Sequence, residues 1–134
     1  MAGRYLLDTH TFLWATSDAS GVAKLGKNAI EAISDMESEL FVSSICVFEI
    51  MIKYRNGKLP EYKPIAENVF VALHGLGAEE LPLTWNQAHV AGLLDWPHKD
   101  PFDRILAAQA QTEGLTLITR DDAFDTAPGL VTLW

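Results

Sequence analysis

Short apolar segments alternate with longer helical patterns along almost the whole chain of 134 residues. An apolar run of three to five residues is typical of a buried strand, whereas apolar residues spaced three and four apart are typical of an amphipathic helix. Strands that alternate with helices in this way form a parallel sheet with helices packed on its faces. The sequence therefore predicts an α/β fold with a central, mainly parallel sheet, formed by one domain over residues 1–134.

The boundaries of the elements follow from apolar spacing and from capping residues. The predicted strands are Tyr5–Leu7, Leu40–Val42, Leu115–Ile118 and Leu130–Leu133, with a short extended piece at Leu81–Leu83. The predicted helices are Thr11–Ala15, Val22–Met36, a helix capped by Ser43 or Ser44 and closed by Gly57, Ile65–His74, Thr84–Leu94, and Pro101 to a stop at Gly114. Residues 17–21 are predicted to form a loop.

Charge and composition exclude several classes of protein. With 10 Lys and Arg against 18 Asp and Glu, the net charge is −8, which argues against bulk electrostatic attachment to nucleic acid or to an anionic membrane. It does not exclude a nucleic-acid enzyme whose acidic site is neutralised by a metal. The one cysteine, Cys46, excludes an internal disulfide framework and a thiolate zinc cluster. With neither a signal-peptide pattern nor a membrane-length apolar run, the sequence predicts a cytoplasmic protein without a membrane partner.

Acidic residues follow the predicted strands, where the functional crevice of an open α/β sheet lies. Asp8 follows the first strand directly, and Asp121 follows the strand at 115–118 after two intervening residues. Glu49 lies in the helix after the second strand, among apolar neighbours, where a carboxylate is costly unless it is paired or bound to a cation. Two simpler explanations remain open: Asp8 caps the next helix, and Glu49 pairs with Lys53 one turn on.

A second acidic group opens the helix that begins at Pro101. Asp100 before a proline is a standard helix cap, and Asp103 lies in the first turn, where the helix dipole favours a carboxylate. Residues three apart also share one helix face, so both carboxylates can point to one ion. Asp121 and Asp122 form a further pair, of which one is expected to cap a turn.

Carboxylates that converge within a few ångströms repel one another, so they either bind protons or hold a hard cation. Mg²⁺ and Mn²⁺ prefer such oxygen ligands. A metal held in this way lowers the pKa of a bound water and neutralises phosphate charge, which suits phosphoryl chemistry.

Several motifs occur in an order that resembles a known family. They are Leu6–Trp14, Val42–Ser43, Phe48–Ile50 with Lys53, Gly57–Leu59, His98–Arg104, Ala107–Ala110, Thr119–Asp121 and Leu133–Trp134. On this ordered set, which spans essentially the whole chain, the sequence resembles the PIN-domain ribonucleases, and closely the VapC-type toxins of type II toxin–antitoxin pairs.

The resemblance implies a three-layer α/β sandwich and metal-dependent endonucleolytic hydrolysis of RNA. It implies that Asp8, Glu49, Asp103 and Asp121 are catalytic and hold Mg²⁺ or Mn²⁺, with Asp100 as an additional acidic position. Thr9, Ser43 and Thr119 match small hydroxyl positions that orient carboxylates or the attacking water. It also implies a homodimer and a cognate VapB-type antitoxin that inserts a segment into the site.

Basic residues next to the acidic motifs suggest how a protein with a net negative charge could bind RNA, which is also negatively charged. We expect Lys53, Arg55, Lys58, Lys99, Arg104 and Arg120 to form a basic rim that binds RNA. The alternative is that these side chains only solvate helix ends. Two other functions remain open: a catalytically silent PIN-like binding module, and a phosphoacceptor signalling domain, although the second strand ends in Ser43 rather than in an aspartate.

Overall fold

The computed structural model describes residues 3–134 and has a five-stranded sheet at its centre. Every neighbouring pair of strands is parallel, in the order β3-β2-β1-β4-β5. The strands are β1 (Arg4–Leu7), β2 (Glu39–Ser43), β3 (Ala78–Leu81), β4 (Thr116–Ile118) and β5 (Thr132–Leu133). Helices cover the sheet, so the predicted α/β class and layered sandwich are confirmed.

Eight α-helices connect these strands within the described residues. They are α1 (Thr9–Thr16), α2 (Ala19–Val22), α3 (Lys27–Ser34), α4 (Ser44–Arg55), α5 (Lys63–Ala66), α6 (Val69–Leu76), α7 (Trp85–Leu93) and α8 (Pro101–Glu113). Short 3₁₀ turns lie at Pro60–Tyr62 and Asp122–Thr126. Over residues 3–134, none of the helices has the length and apolar character needed to cross a membrane.

The predicted helix over Val22–Met36 is wrong at its start, and the predicted loop at 17–21 is partly helical. Asp18 caps α2 by accepting the backbone N–H groups of Ser20 and Gly21. α3 then begins after Gly26, which has extended backbone at φ −69° and ψ 161°. The ring of Trp134 packs so closely on Gly26 that an added Cβ would lie 2.6 Å from it. The contact with Trp134 thus lies directly at the start of α3.

Two other boundaries differ from the sequence prediction. The helix predicted over Ile65–His74 is divided into α5 and α6, because Asn68 lies between them with φ −139° and ψ 41°, outside the helical region. The strand β3 begins three residues before the extended piece predicted at Leu81–Leu83 and ends at Leu81, so it pairs along β2 from Ala78 to Leu81. Pro82 has no N–H to donate, so the strand ends before it.

The order of the strands reverses between β1 and β4. From β1 the chain adds β2 and β3 on one side, whereas β4 and β5 lie on the other side. In open parallel sheets the crevice for ligands lies outside the carboxyl ends of the strands at such a reversal. The carbonyl of Ile118 at the end of β4 accepts the backbone N–H of Asp8 at 3.2 Å and the hydroxyl of Thr11 on α1 at 2.9 Å, so the end of β4 is joined to the end of β1 and to the helix that follows it. The topology therefore places a crevice beside Asp8.

Substitution of two glycines tests the backbone conformation at Gly114, where α8, the helix that carries Asp103, leads into β4. Gly114 ends α8 with a left-handed φ of +67°, whereas Gly75 lies in the last turn of α6, and a Cβ added at either position would meet open space. We expect Gly114→Ala to lower the free energy of unfolding by about 1 kcal/mol, because alanine is strained at positive φ. Gly75→Ala, the matched control, should raise it by about 0.5–1 kcal/mol through helix propensity. Urea unfolding measures both, and equal effects would contradict the assignment.

Candidate active site

The four acidic residues singled out in the sequence line one pocket of about 330 Å³ at the carboxyl end of the sheet. Asp8 lies at the end of β1, Glu49 is on α4, Asp103 is in the first turn of α8, and Asp121 follows β4. The rest of the lining consists of Thr9, His10, Trp14, Leu106 and Arg120. Four different elements therefore each bring one carboxylate to the same cavity.

Asp8 has two roles. One of its carboxylate oxygens accepts the backbone N–H of Thr11 at 2.8 Å, so Asp8 caps α1, as the simpler explanation required. The other oxygen accepts the hydroxyl of Thr119, a buried residue at the end of β4. The helix cap uses only one carboxylate oxygen, and Asp8 still lines the pocket. Asp8 can therefore cap α1 and belong to the candidate site at the same time.

Glu49 has a partner on each carboxylate oxygen. The Thr9 hydroxyl donates to Oε1 at 2.6 Å, and the Lys53 ammonium donates to Oε2 at 2.8 Å. The Glu49 side chain is 18% exposed, so this i,i+4 pair lies partly inside the protein. The pairing with Lys53 is present, and the Thr9 contact ties the same carboxylate to α1 beside Asp8.

Asp103 is the carboxylate with the most perturbed ionisation. Its side chain is 21% exposed, and Oδ2 lies 2.7 Å from Nε2 of His98. Burial raises the pKa of Asp103 to about 6; the charges of Asp100 and Asp121 act in the same direction, whereas the His98 hydrogen bond opposes the shift. A cation bound beside Asp103 would favour its ionised form and so lower this pKa.

Asp121 and Asp100 are more exposed and both cap short-range structure. Asp121 lines the pocket and accepts the N–H of Ala123 at 3.0 Å, whereas its neighbour Asp122 begins the following 3₁₀ turn. Asp100 caps α8 by accepting the N–H of Phe102 at 2.9 Å. Ligand atoms of Asp100, Asp103 and His98 all lie within 4.8 Å of one another.

His98 was not among the predicted site residues, although its place beside the acidic motif suggests a hydrogen-bonding role, and its imidazole does contact Asp103. The signal was its position two residues before the capping Asp100, because a residue just before a helix cap lies close to that helix's first turn. His10 and Trp14 also line the pocket, with their rings 5.5 Å apart.

The donor set fits a divalent cation. Four carboxylate residues line the pocket, and one of them, Asp103, also has ligand atoms within 4.8 Å of those of Asp100 and of the His98 imidazole. Oxygen donors of this kind suit Mg²⁺ and Mn²⁺, and the hydroxyl groups of Thr9 and Thr119 hold two of the carboxylates in place. Ser43, by contrast, is buried and caps α4 by accepting the N–H of Ile45 at 3.1 Å.

The basic residues differ widely in their surroundings. Arg120 lines the pocket, with its guanidinium 4.6 Å from the centre of the Trp14 ring, and Lys53 is paired with Glu49. Arg55, Lys58 and Lys99 are exposed.

Arg104 does not fit the expected basic rim. Its guanidinium has five N–H groups, and it makes five hydrogen bonds to backbone carbonyls at the end of α7 and in the segment that follows. No N–H group of Arg104 is left to donate to a phosphate. We therefore no longer include Arg104 among the residues expected to bind RNA.

The family model of the PIN domain matches residues 5–130. The chain belongs to the PIN domain family. That match covers the strands and helices that bring the four carboxylates together. No curated protein matches this PIN domain in sequence.

Solved structures share the fold of this PIN domain at low sequence identity. VapBC2 from Rickettsia felis, bound to a promoter DNA fragment, matches with a TM-score of 0.69 and 19% identity over 97% of each chain. DNA-bound VapBC from Salmonella typhimurium gives 0.68 and 19% over 99% of this chain and 98% of that one. VapC20 from Mycobacterium tuberculosis, described as a sarcin-ricin loop cleaving toxin, gives 0.58 and 13% over 95% and 98%.

The raised pKa of Asp103 makes stability depend on pH. Between its ordinary value of 3.8 and about 6, the folded protein keeps a proton that the unfolded chain has lost. Stability from this group is therefore present at low pH and is lost as the pH rises through about 6. Because asparagine cannot ionise, Asp103→Asn should be more stabilising at pH 7.5 than at pH 4, by on the order of 1 kcal/mol after allowance for partial exposure.

Urea unfolding in metal-free buffer at the two pH values measures this difference. Saturating Mn²⁺ provides the control, because a cation that binds ionised Asp103 should reduce the advantage of the asparagine variant at pH 7.5. If Asp103→Asn stabilises the protein equally at both pH values, or more at pH 4, the raised pKa of Asp103 is contradicted.

Proposed function

We propose that this PIN domain is a metal-dependent endoribonuclease and the toxin of a type II toxin–antitoxin pair. The observation that carries the proposal is the convergence of Asp8, Glu49, Asp103 and Asp121 on one pocket at the strand-order reversal. Membership of the PIN family supports nuclease chemistry, and the sarcin-ricin loop cleaving toxin that shares the fold supports RNA as the substrate.

Mg²⁺ or Mn²⁺ is the proposed cofactor, held by the four pocket carboxylates with Asp100 at the edge. When bound, such a cation lowers the pKa of a bound water and neutralises phosphate charge. The residues of the chain contribute position: Thr119 and Thr9 orient the carboxylates of Asp8 and Glu49. Water attacks the phosphorus in line with the leaving 3′-oxygen, which takes a proton, so the products carry a 5′-phosphate and a 3′-hydroxyl.

We further propose that the protein pairs with a VapB-type antitoxin and forms a homodimer. The VapBC structures from Rickettsia felis and Salmonella typhimurium that share the fold support an antitoxin partner. Two adjacent apolar side chains on α6, Phe70 at 62% exposure and Val71 at 71%, support an interface, because neighbouring exposed apolar side chains gain by being covered.

Asp8→Asn tests the proposed chemistry. Asparagine caps a helix about as well as aspartate, so the variant should fold while losing a charged ligand. A metal site contributes several kcal/mol to the transition state, so cleavage of a pool of tRNA and structured RNA should fall by about 100-fold or more. Cleavage is measured on antitoxin-free protein with Mg²⁺, with Mn²⁺ and with EDTA.

Asp35→Asn is the matched control, because Asp35 lies between α3 and β2, before the amino end of that strand. It should cleave like the native protein. Discrete cuts that persist in EDTA or in Asp8→Asn would rule out the metal-dependent mechanism. A folded native protein that binds Mn²⁺ but cuts no RNA in the pool would instead favour a silent binding module.

Arg120→Gln tests the basic edge of the pocket. If the Arg120 guanidinium meets a phosphate while stacked on Trp14, its loss should raise KM for RNA several-fold with little change in kcat. The dependence of log affinity on log salt concentration should also become shallower by about 1. Both quantities come from cleavage and binding titrations at several salt concentrations.

Arg4→Gln is the comparison for Arg120→Gln. The Arg4 guanidinium also lies over an aromatic ring, 5.6 Å from the centre of Phe41, but at the start of β1 and away from the pocket. An equal change in salt dependence for the two variants would mean that Arg120 acts only through net charge.

A further inference from the structure

The Arg104 side chain fastens the end of α7 to the start of α8. The last carbonyls of a helix have no partner inside the helix, and a cation near them is favourable. Arg104 Nε donates to the carbonyl of Ala91 at 3.0 Å, and Nη2 donates to those of Gly92 and Leu94 at 3.4 and 2.7 Å. The guanidinium thus takes the place of a helix C-cap for α7.

The remaining two N–H groups reach further along the chain. Nη1 donates to the carbonyl of Trp96 at 2.6 Å and to that of His98 at 3.0 Å. One side chain therefore holds both the end of α7 and the backbone of residues 94–98. We call residues 94–98 the support segment.

The support segment ends in the imidazole that contacts Asp103. The ring of Trp96 lies 4.7 Å from that of His98, and Trp96 is 4% exposed, so the imidazole is packed against a buried surface. His98 Nε2 lies 2.7 Å from Oδ2 of Asp103, which is the residue just before Arg104. Arg104 and Asp103, which are adjacent near the start of α8, therefore both contact the support segment: Arg104 binds its backbone and Asp103 binds the His98 side chain.

We propose that Arg104 is a positioning residue that holds His98 against Asp103 and so fixes the Asp103 carboxylate for a divalent cation. This inference rests on the proposed function, in which Asp103 holds such a cation. Partners of metal-binding carboxylates typically change metal affinity by about 10–100-fold when they are removed. Lysine cannot replace Arg104, because three donors on a single nitrogen cannot span five carbonyls.

The test measures Mn²⁺ binding to the full chain by calorimetry. Arg104→Lys should bind Mn²⁺ about 10-fold or more weakly than the native protein, and His98→Asn should show a similar loss. The double variant should be no weaker than the weaker single variant, because both changes break one line of contacts. Arg4→Lys, which alters an arginine at the amino end of β1, should bind like the native protein.

Cleavage provides a second readout. The Mn²⁺ concentration that gives half-maximal cleavage should rise for Arg104→Lys, whereas the rate at saturating Mn²⁺ should stay near the native rate. A general loss of structure would lower the rate at every Mn²⁺ concentration. Circular dichroism confirms that each variant is folded.

Native-like Mn²⁺ affinity in Arg104→Lys, or losses that add in the double variant, would overturn the proposal while leaving the proposed function intact. If Arg104→Lys does not fold, Arg104→Gln decides: a loss of about 10-fold in Mn²⁺ affinity supports the proposal, and native affinity overturns it. If the native protein binds no Mn²⁺, the proposed function and this inference both fall.

Discussion

The cost of gathering carboxylates in a partly buried pocket is the constraint on which this structure depends. Like charges at close range repel, and each loses hydration as it is buried. The protein offsets this cost with separate donors for separate carboxylates: Thr11 and Thr119 for Asp8, Thr9 and Lys53 for Glu49, His98 for Asp103, and the backbone of Ala123 for Asp121. The offset is incomplete at Asp103, whose pKa stays raised to about 6.

The parallel topology brings the four carboxylates to one end of the sheet. Asp8 and Asp121 lie just after strands and cap the turns that follow them, whereas Glu49 lies midway along α4 and Asp103 lies in the first turn of α8. The reversal of strand order between β1 and β4 then brings Thr119 to Asp8 from a distant part of the chain. Caps that stabilise single helices therefore also orient the site. This explains why the capping explanation and the metal-site explanation of Asp8 hold together.

Much of the site could be predicted because its signals are local. Glu49 stood out as a carboxylate among apolar neighbours, and Asp8 and Asp121 stood out as acids after strands. The helix boundaries near Gly26 and Asn68 were missed, since a contact with Trp134 and a non-helical backbone decide them. Arg104 was expected to bind RNA for a similar reason. The sequence does not distinguish an arginine that faces solvent from one whose five N–H groups all donate to backbone carbonyls.

The sequence by itself determined the α/β class, the identity of the pocket carboxylates and the local caps, because apolar spacing and capping chemistry act over a few residues. Only the tertiary structure decided which partners those groups meet. The Thr119 hydroxyl on Asp8, the Thr9 hydroxyl on Glu49 and the ring of Trp134 on Gly26 join residues far apart in the chain. Such contacts depend on strand order and helix packing, which no short stretch of sequence encodes.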